Sequence, residues 1–560
     1  MQSNVSAGFN SDLLDNNLKN SKITNESFPA LHSYPVSNSL SIKQKQSDFH
    51  FYILHRSLPV FAGSAKGPHQ SGESGFEDFL TRVRHLDADV PLIVLGLGLG
   101  DHVNQILSKI RANLIILEKN PGLVKASLSR FDWSDFLRSE DLIISDPLHF
   151  IFNNFVSIRH EMIFHPFIGK CYFDVAQLLK ASQPVNNVDL LMDGKLLIDD
   201  WYHTLLDHNR NPYIYPPNFY DISKIRSDFQ HYNIQKIWSI NRLSGLENLA
   251  EELKLSYSIY EIDPDLSDIP EVKQKHNFTT LFSYRKPQAK WYRDKGWNAT
   301  YLPLASNHKR FSVSADDNYR CRISFVGDSI LENANKVKKQ VIEHCNEDQK
   351  KLIESFWQDQ AANPERSVLP DYRDKLAFHF SSLVISTDFG QINLLKTLSE
   401  WSGACHRVHL VRCASEFGID VWGDQAWQVI AGKTKGLNYR GRASHLKEVP
   451  IIYASSYINL DITRIYQPDV ATLRLFDVFA AGSLAITNVE DENGELYPNP
   501  RLITFSNSTG MMHRINEILE WSKTTYRNYI HAMKKQTLEN HTLDHRLQRI
   551  LECEKQVTDT

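Results

Sequence analysis

Three stretches of the chain hold residue types whose spacing suits chemistry. In the first, Gly96, Gly98 and Gly100 lie in Leu95-Gly-Leu-Gly-Leu-Gly-Asp101, and Glu118 stands 18 residues after Gly100. Glycines between a strand and a helix let backbone N–H groups approach an anion, and a carboxylate at that distance suits a ribose hydroxyl. The spacing fits S-adenosylmethionine as well as a dinucleotide. A plain turn in a cofactor-free Rossmann-like domain accounts for the same glycines.

The second stretch runs from Tyr453 to Thr487, YASSYINLDITRIYQPDVATLRLFDVFAAGSLAIT. Asp469 and Asp477 are eight apart, a spacing that predicts two turns on one face of a helix starting near Val470. Arg474 lies between them, and Gly482 closes the helix before an apolar strand. A helix N-terminus and an arginine would neutralise phosphate, while a carboxylate accepts from ribose or sugar hydroxyls. Solvated acids on an amphipathic helix would give the same spacing. So would an Arg474–Asp477 surface pair, one turn apart.

The third stretch is Phe325-Val-Gly327-Asp328-Ser329, a strand end before a helix starting near Leu331. Gly327 there admits a diphosphate close to backbone N–H groups. Asp263, just before Pro264, sits where a strand's carboxyl end meets its crevice. It reads either as a general base on an acceptor hydroxyl or as a turn opener. Cys405, His406 and His409 have no second cluster at metal-ligand spacing, so no metal is expected. His308, in a polar loop, is either a site residue or a surface histidine.

The elements that must position these residues follow from patterning. PLIVL, NLIIL and DLIIS are short buried runs separated by helical stretches, the signature of a parallel sheet with crossover helices. VDLLM, YIYPP, IQKIWSIN, SYSIYEID and TTLFSY repeat the pattern to about residue 305, and RISFVGDS, VHLVRC, IDVWGD, PIIYAS and SLAITN repeat it again. The division expected is a mobile leader at 1–48, a Rossmann-like accessory domain at 49–186, and two further Rossmann-like domains at 187–310 and 311–510. Helices are expected over 511–560.

Composition limits the function classes. Of 560 residues 42% are apolar and 23% charged, ordinary globular usage. Lys plus Arg number 62 against 66 Asp plus Glu, a net charge of -4, and no dense basic run marks a nucleic-acid surface. Six scattered cysteines form no CxxC pair, which argues against a disulfide framework. No secretory signal and no apolar stretch of about 20 residues is seen, so a cytoplasmic protein is expected.

The Tyr453–Thr487 segment resembles the donor-binding motif of GT-B glycosyltransferases, where two glutamates flank seven residues and Ala-x-Gly follows. It is more similar still to the CgeB-type (spore-maturation-protein-like) glycosyltransferases. The residues that carry this are Phe325-Val-Gly-Asp-Ser329, Gly423-Asp-Gln-Ala-Trp427, Tyr453-Ala-Ser-Ser-Tyr-Ile-Asn459-Leu-Asp461, Arg474-Leu-Phe-Asp477 through Gly482, and His541-Thr-Leu-Asp-His-Arg546. Asp replaces the family's usual Asn at 461 and its usual Glu at 477. The resemblance covers about 187–555.

It implies an α/β GT-B fold, two facing Rossmann-like domains behind a further Rossmann-like N-terminal one. The implied activity is metal-independent glycosyl transfer from a nucleotide-sugar donor to an unidentified acceptor, with no cofactor beyond the donor. Residues 187–310 would form the acceptor side and 311–510 the donor side. Donor binding is expected at Gly327, Asp328, Ser329, Gly423, Tyr453, Asn459, Asp469, Arg474, Asp477 and Gly482. Catalysis is expected at Asp263 and Arg474. The alternatives are a methyltransferase using Gly96 to Glu118, or a non-catalytic GT-B scaffold.

Overall fold

The computed structural model describes residues 4–5, 10–21, 23, 41–44, 51–55, 58–60, 92–97, 100–109, 113–153, 163–164, 173–179, 185–192, 197–215, 222–263, 276–387, 390–489, 496–497 and 503–558. Gly98 and Pro264 lie outside them. Strands β1 (Asn4–Val5), β2 (Ser41–Gln44), β3 (Phe51–His55) and β4 (Leu58–Val60) pair antiparallel in that order. The segment expected to be a mobile leader holds a helix, Ser11–Asn20, capped by the Asn10 side chain. Its fully buried Asn17 donates to the carbonyls of Leu128 and Phe131 and accepts from the Trp133 N–H. That polar anchor is invisible to a periodicity search, because the residue facing the core is an amide.

The glycine-bearing region forms a parallel sheet of β5 (Leu92–Leu95), β6 (Leu114–Leu117), β7 (Leu142–Ser145) and β8 (Ile163–Phe164), in the order β7-β6-β5-β8. Every residue of β5 and β6 is buried, the condition of a strand covered on both faces. The helix Pro121–Leu128 starts where it does because Asn120 caps it and proline fits its first turn.

A six-stranded sheet follows: β9 (Val188–Met192), β10 (Pro212–Tyr215), β11 (Ile234–Ile240), β12 (Tyr257–Glu261), β13 (Thr279–Ser283) and β14 (Ala299–Tyr301). Its order is β10-β9-β11-β12-β13-β14. After a hairpin of β16 (Val384–Thr387) and β17 (Gly390–Asn393), the last sheet collects β15 (Cys321–Val326), β18 (Ile419–Trp422), β19 (Leu437–Tyr439), β20 (Ser456–Asp461) and β21 (Leu484–Thr487). All four of its pairings are parallel, in the order β19-β18-β15-β20-β21. The α/β architecture of parallel sheets is the one the alternating pattern leads one to expect, but two runs expected as strands are helical: VHLVRC lies in the helix Leu394–Ala414, and PIIYAS in the helix Glu448–Ser455 that precedes β20.

Between β15 and β18 the chain builds helices Leu331–Glu343, Glu347–Ala362, Leu369–His379 and Leu394–Ala414, whose apolar faces share a core around Phe356, Trp357, Leu376 and Leu398. Helices Ser508–Leu519, Lys523–Asn540 and Leu543–Thr558 close the chain. Two compact units emerge, residues 1–261 with 274–281, and residues 262–273 with 282–560. Among the described residues, no helix is long and apolar enough to cross a membrane.

Candidate functional site

In the last sheet the chain moves from β15 outward to β18 and β19, then returns to the other side of β15 as β20 and β21. Such a reversal opens a crevice beyond the carboxyl ends of the two strands that flank it, here β15 and β20. The loop Gly327–Ile330 leaves β15 at that point, and the residues after Asp461 leave β20.

The loop is held from the neighbouring strand. The Gly327 N–H donates to the Trp422 carbonyl (2.8 Å), and the Trp427 indole donates to the Gly327 carbonyl (2.9 Å). Gly423 must be glycine, since a Cβ there would stand 2.3 Å from the Gly327 carbonyl oxygen. Ser329 is fully buried. Its N–H and hydroxyl donate to Asp424 at 3.0 and 2.7 Å, and its hydroxyl accepts from the Leu331 N–H (3.1 Å).

Behind the loop lies Arg474. Its Nε and Nη2 donate to the Val326 carbonyl (3.0 and 2.7 Å), and its Nη1 donates to Asp461 (2.9 Å). Asp461 has no exposed surface and also accepts from the hydroxyls of Thr472 (2.6 Å) and Thr487 (2.8 Å). Tyr453 accepts from Arg474 and stacks on Phe311, with ring centroids 5.9 Å apart. Arg474 therefore pairs with Asp461 rather than with Asp477.

A second arginine reaches the same loop without an acid. Arg407 rises from the helix Leu394–Ala414 and donates to the Asp328 carbonyl (2.7 Å), while its buried Nε has no hydrogen-bond partner. Burial pushes its guanidinium down to about 9, and repulsion from Arg474 and Arg464 adds to the fall. A guanidinium does not give up its proton in a protein, so this strain persists as an unmet demand for negative charge. Among the described residues no carboxylate pairs with Arg407 within 4.0 Å. The sequence reading passed over it as the neighbour of Cys405, His406 and His409. The available signal was an arginine in mid-helix, among the buried Ala404, Val408, Leu410 and Val411.

The other expected residues fall into distinct places. Asp469 does not share a helix with Asp477. The helix spans Leu473–Ala480 after an N-cap at Thr472, and Asp469 precedes it. Asp469 is gripped by Arg285, with Nε 2.8 Å from both carboxylate oxygens. Asp477 is buried within the helix, and Gly482, at φ +78, ends it. Asn459 is spent inside the sheet, accepting from Ser324 (2.7 Å) and donating to Ser483 (2.9 Å). Asp328 is exposed, 3.4 Å from Arg442. Asp263 lies 3.6 Å from Arg464, and His308 lies 3.7 Å from Asp544. Among the described residues, no three His, Cys, Asp or Glu side chains are arranged to hold a metal.

Comparison with known proteins gives two family matches. Residues 406–552 match a family described as glycosyl transferase-like, and residues 18–152 match the glycosyltransferase Maf N-terminal domain. The chain thus carries glycosyltransferase domains, one of them containing Arg407, Asp461 and Arg474. A search of curated proteins finds no match. Among solved structures, T4 phage β-glucosyltransferase with its UDP-glucose substrate aligns at TM-score 0.36 and 10% identity, over 67% of this chain and 100% of that one. A UDP-forming trehalose-phosphate synthase from Burkholderia xenovorans aligns at TM-score 0.33 and 8% identity, over 84% and 99%. An α1,3-fucosyltransferase aligns at 0.26 and 11%, over 65% and 93%. Those scores are too low to define a fold, and the site stands on its own geometry.

Proposed function

We propose that this glycosyltransferase is of the CgeB type and takes a nucleoside-diphosphate sugar, with its diphosphate at the Gly327–Ile330 loop. The observation that carries this reading is Arg407, a guanidinium with a buried, unpartnered Nε beside the N-terminus of the helix Leu331–Glu343. Departure of the nucleoside diphosphate develops negative charge, and fixed cations and N–H dipoles aimed at it lower the barrier. Arg407, with Arg464 nearby, supplies that charge without a metal ion. Arg474 and Asp461 set the height of the loop from behind. Asp263, beside Arg464, is proposed as the base that receives the acceptor hydroxyl's proton. Asp469 and Asp477 are proposed to accept from sugar or ribose hydroxyls, Asp469 after release from Arg285.

The N-terminal glycine unit is proposed to hold no cofactor. Both Glu118 oxygens already accept backbone N–H groups, from Leu97 (2.7 Å) and Asn120 (2.9 Å), which supports a structural role for the acid expected to bind ribose. The reaction is proposed to run in the cytoplasm. Isothermal titration of the whole protein with UDP, GDP and S-adenosylmethionine tests the reading. Binding of one diphosphate and not of the methyl donor is expected. Tight S-adenosylmethionine binding, or no binding of either nucleotide, would overturn it.

A further inference from the structure

Ile330 is the one β-branched residue among the described non-glycine residues with a left-handed backbone, at φ +68 and ψ -17. A branched Cβ makes that conformation costly, and it persists only where neighbours over-determine it. On its carboxyl side the helix fixes it, since the Ala334 N–H donates to the Ile330 carbonyl (2.9 Å). On its amino side Ser329 is held by both oxygens of Asp424, a buried carboxylate from the end of the adjacent strand β18. Ser329 in turn takes the Leu331 N–H (3.1 Å).

We infer that Asp424 is a positioning residue of the donor site. Through Ser329 it forces Ile330 into the left-handed region, and that turn sets the direction in which the first-turn N–H groups of Glu332 and Asn333 meet the diphosphate. The inference rests on the proposed donor reading. Asp424 itself touches no substrate. Both of its oxygens accept from Ser329, so an amide of the same shape offers one acceptor for two donors and serves only in part.

The test separates forcing the backbone from merely stabilising it. UDP and GDP are titrated into the parent, Arg407→Ala, Asp424→Ala, Asp424→Asn and the double variant Asp424→Ala/Ile330→Gly, with each melting temperature recorded. Asp424→Ala is expected to weaken diphosphate binding about fivefold to thirtyfold, the equivalent of one residue's left-handed cost. Asp424→Asn, which keeps one of the two acceptors, should fall between the parent and Asp424→Ala. Glycine adopts the left-handed backbone unforced, so the double variant should regain most of the lost affinity even where its melting temperature stays low. Should Asp424→Ala fail to fold, Ser329→Ala with and without Ile330→Gly makes the same comparison. A double variant as weak as the single one, or Asp424→Ala within twofold of the parent, would overturn the inference alone. A parent that binds neither nucleotide, or an Arg407→Ala variant indistinguishable from it, would overturn the donor reading beneath it.

Discussion

Arg474 joins two strand ends by giving its Nε and Nη2 to the Val326 carbonyl at the end of β15 and its Nη1 to the buried Asp461 at the end of β20. Removing one partner of a buried pair leaves the other charge uncompensated and costs about 3–5 kcal/mol. Arg474→Ala is therefore expected to unfold at markedly lower urea concentration. Lysine should recover little, because one ammonium cannot span both acceptors. Asp461→Asn keeps the acceptor oxygen and should cost less than the arginine deletion. An Arg474→Ala variant as stable as the parent would return this residue to the surface-pair reading.

Gly423 lies so close to the Gly327 carbonyl that any side chain must move the loop. Overpacking of this kind costs about 1–3 kcal/mol. Gly423→Ala is expected to lose stability on that scale and to lose diphosphate affinity with it. Retained affinity, read by titration calorimetry, would mean that the loop's position does not govern binding.

A pH dependence is expected in the first unit. Burial raises the Asp228 carboxyl to about 6, Asp146 adds to the rise, and Lys224 (2.7 Å away) and Tyr215 oppose it. Tyr213 and Tyr232 also face this cluster. The folded value lies above the unfolded one of about 3.9, so this contribution to stability is full below about pH 4 and lost as pH rises through 6. Asp228→Asn cannot lose it. The variant should gain on the parent by on the order of 2–3 kcal/mol between pH 4 and 7 in urea unfolding. A gap constant with pH would contradict this.

The sheets were legible because their strands are buried on both faces and read as unbroken apolar runs, as Leu92–Leu95 and Leu484–Thr487 do. Partners of charged residues were not. Arg474 and Asp477 stand at the spacing of a local pair, yet Arg474 takes an acid 13 positions back and a carbonyl 148 back. Asp469 likewise answers to Arg285, 184 positions away. The helix start was misjudged because Thr472, its cap residue, gives its hydroxyl to Asp461 instead of to the helix. Arg407 escaped notice because nothing in its local pattern says that its charge has no partner.

That missing partner is the centre of the account, and one variant tests it directly. Arg407→Ala removes a desolvated cation with no acid beside it, so the melting temperature without ligand should stay unchanged or rise. A charge-assisted contact to a diphosphate is worth about 1.5–3 kcal/mol, so its affinity for the bound nucleoside diphosphate should fall about 10- to 150-fold. A folded Arg407→Ala variant that binds UDP and GDP within twofold of the parent would contradict the claim that the diphosphate sits at this loop.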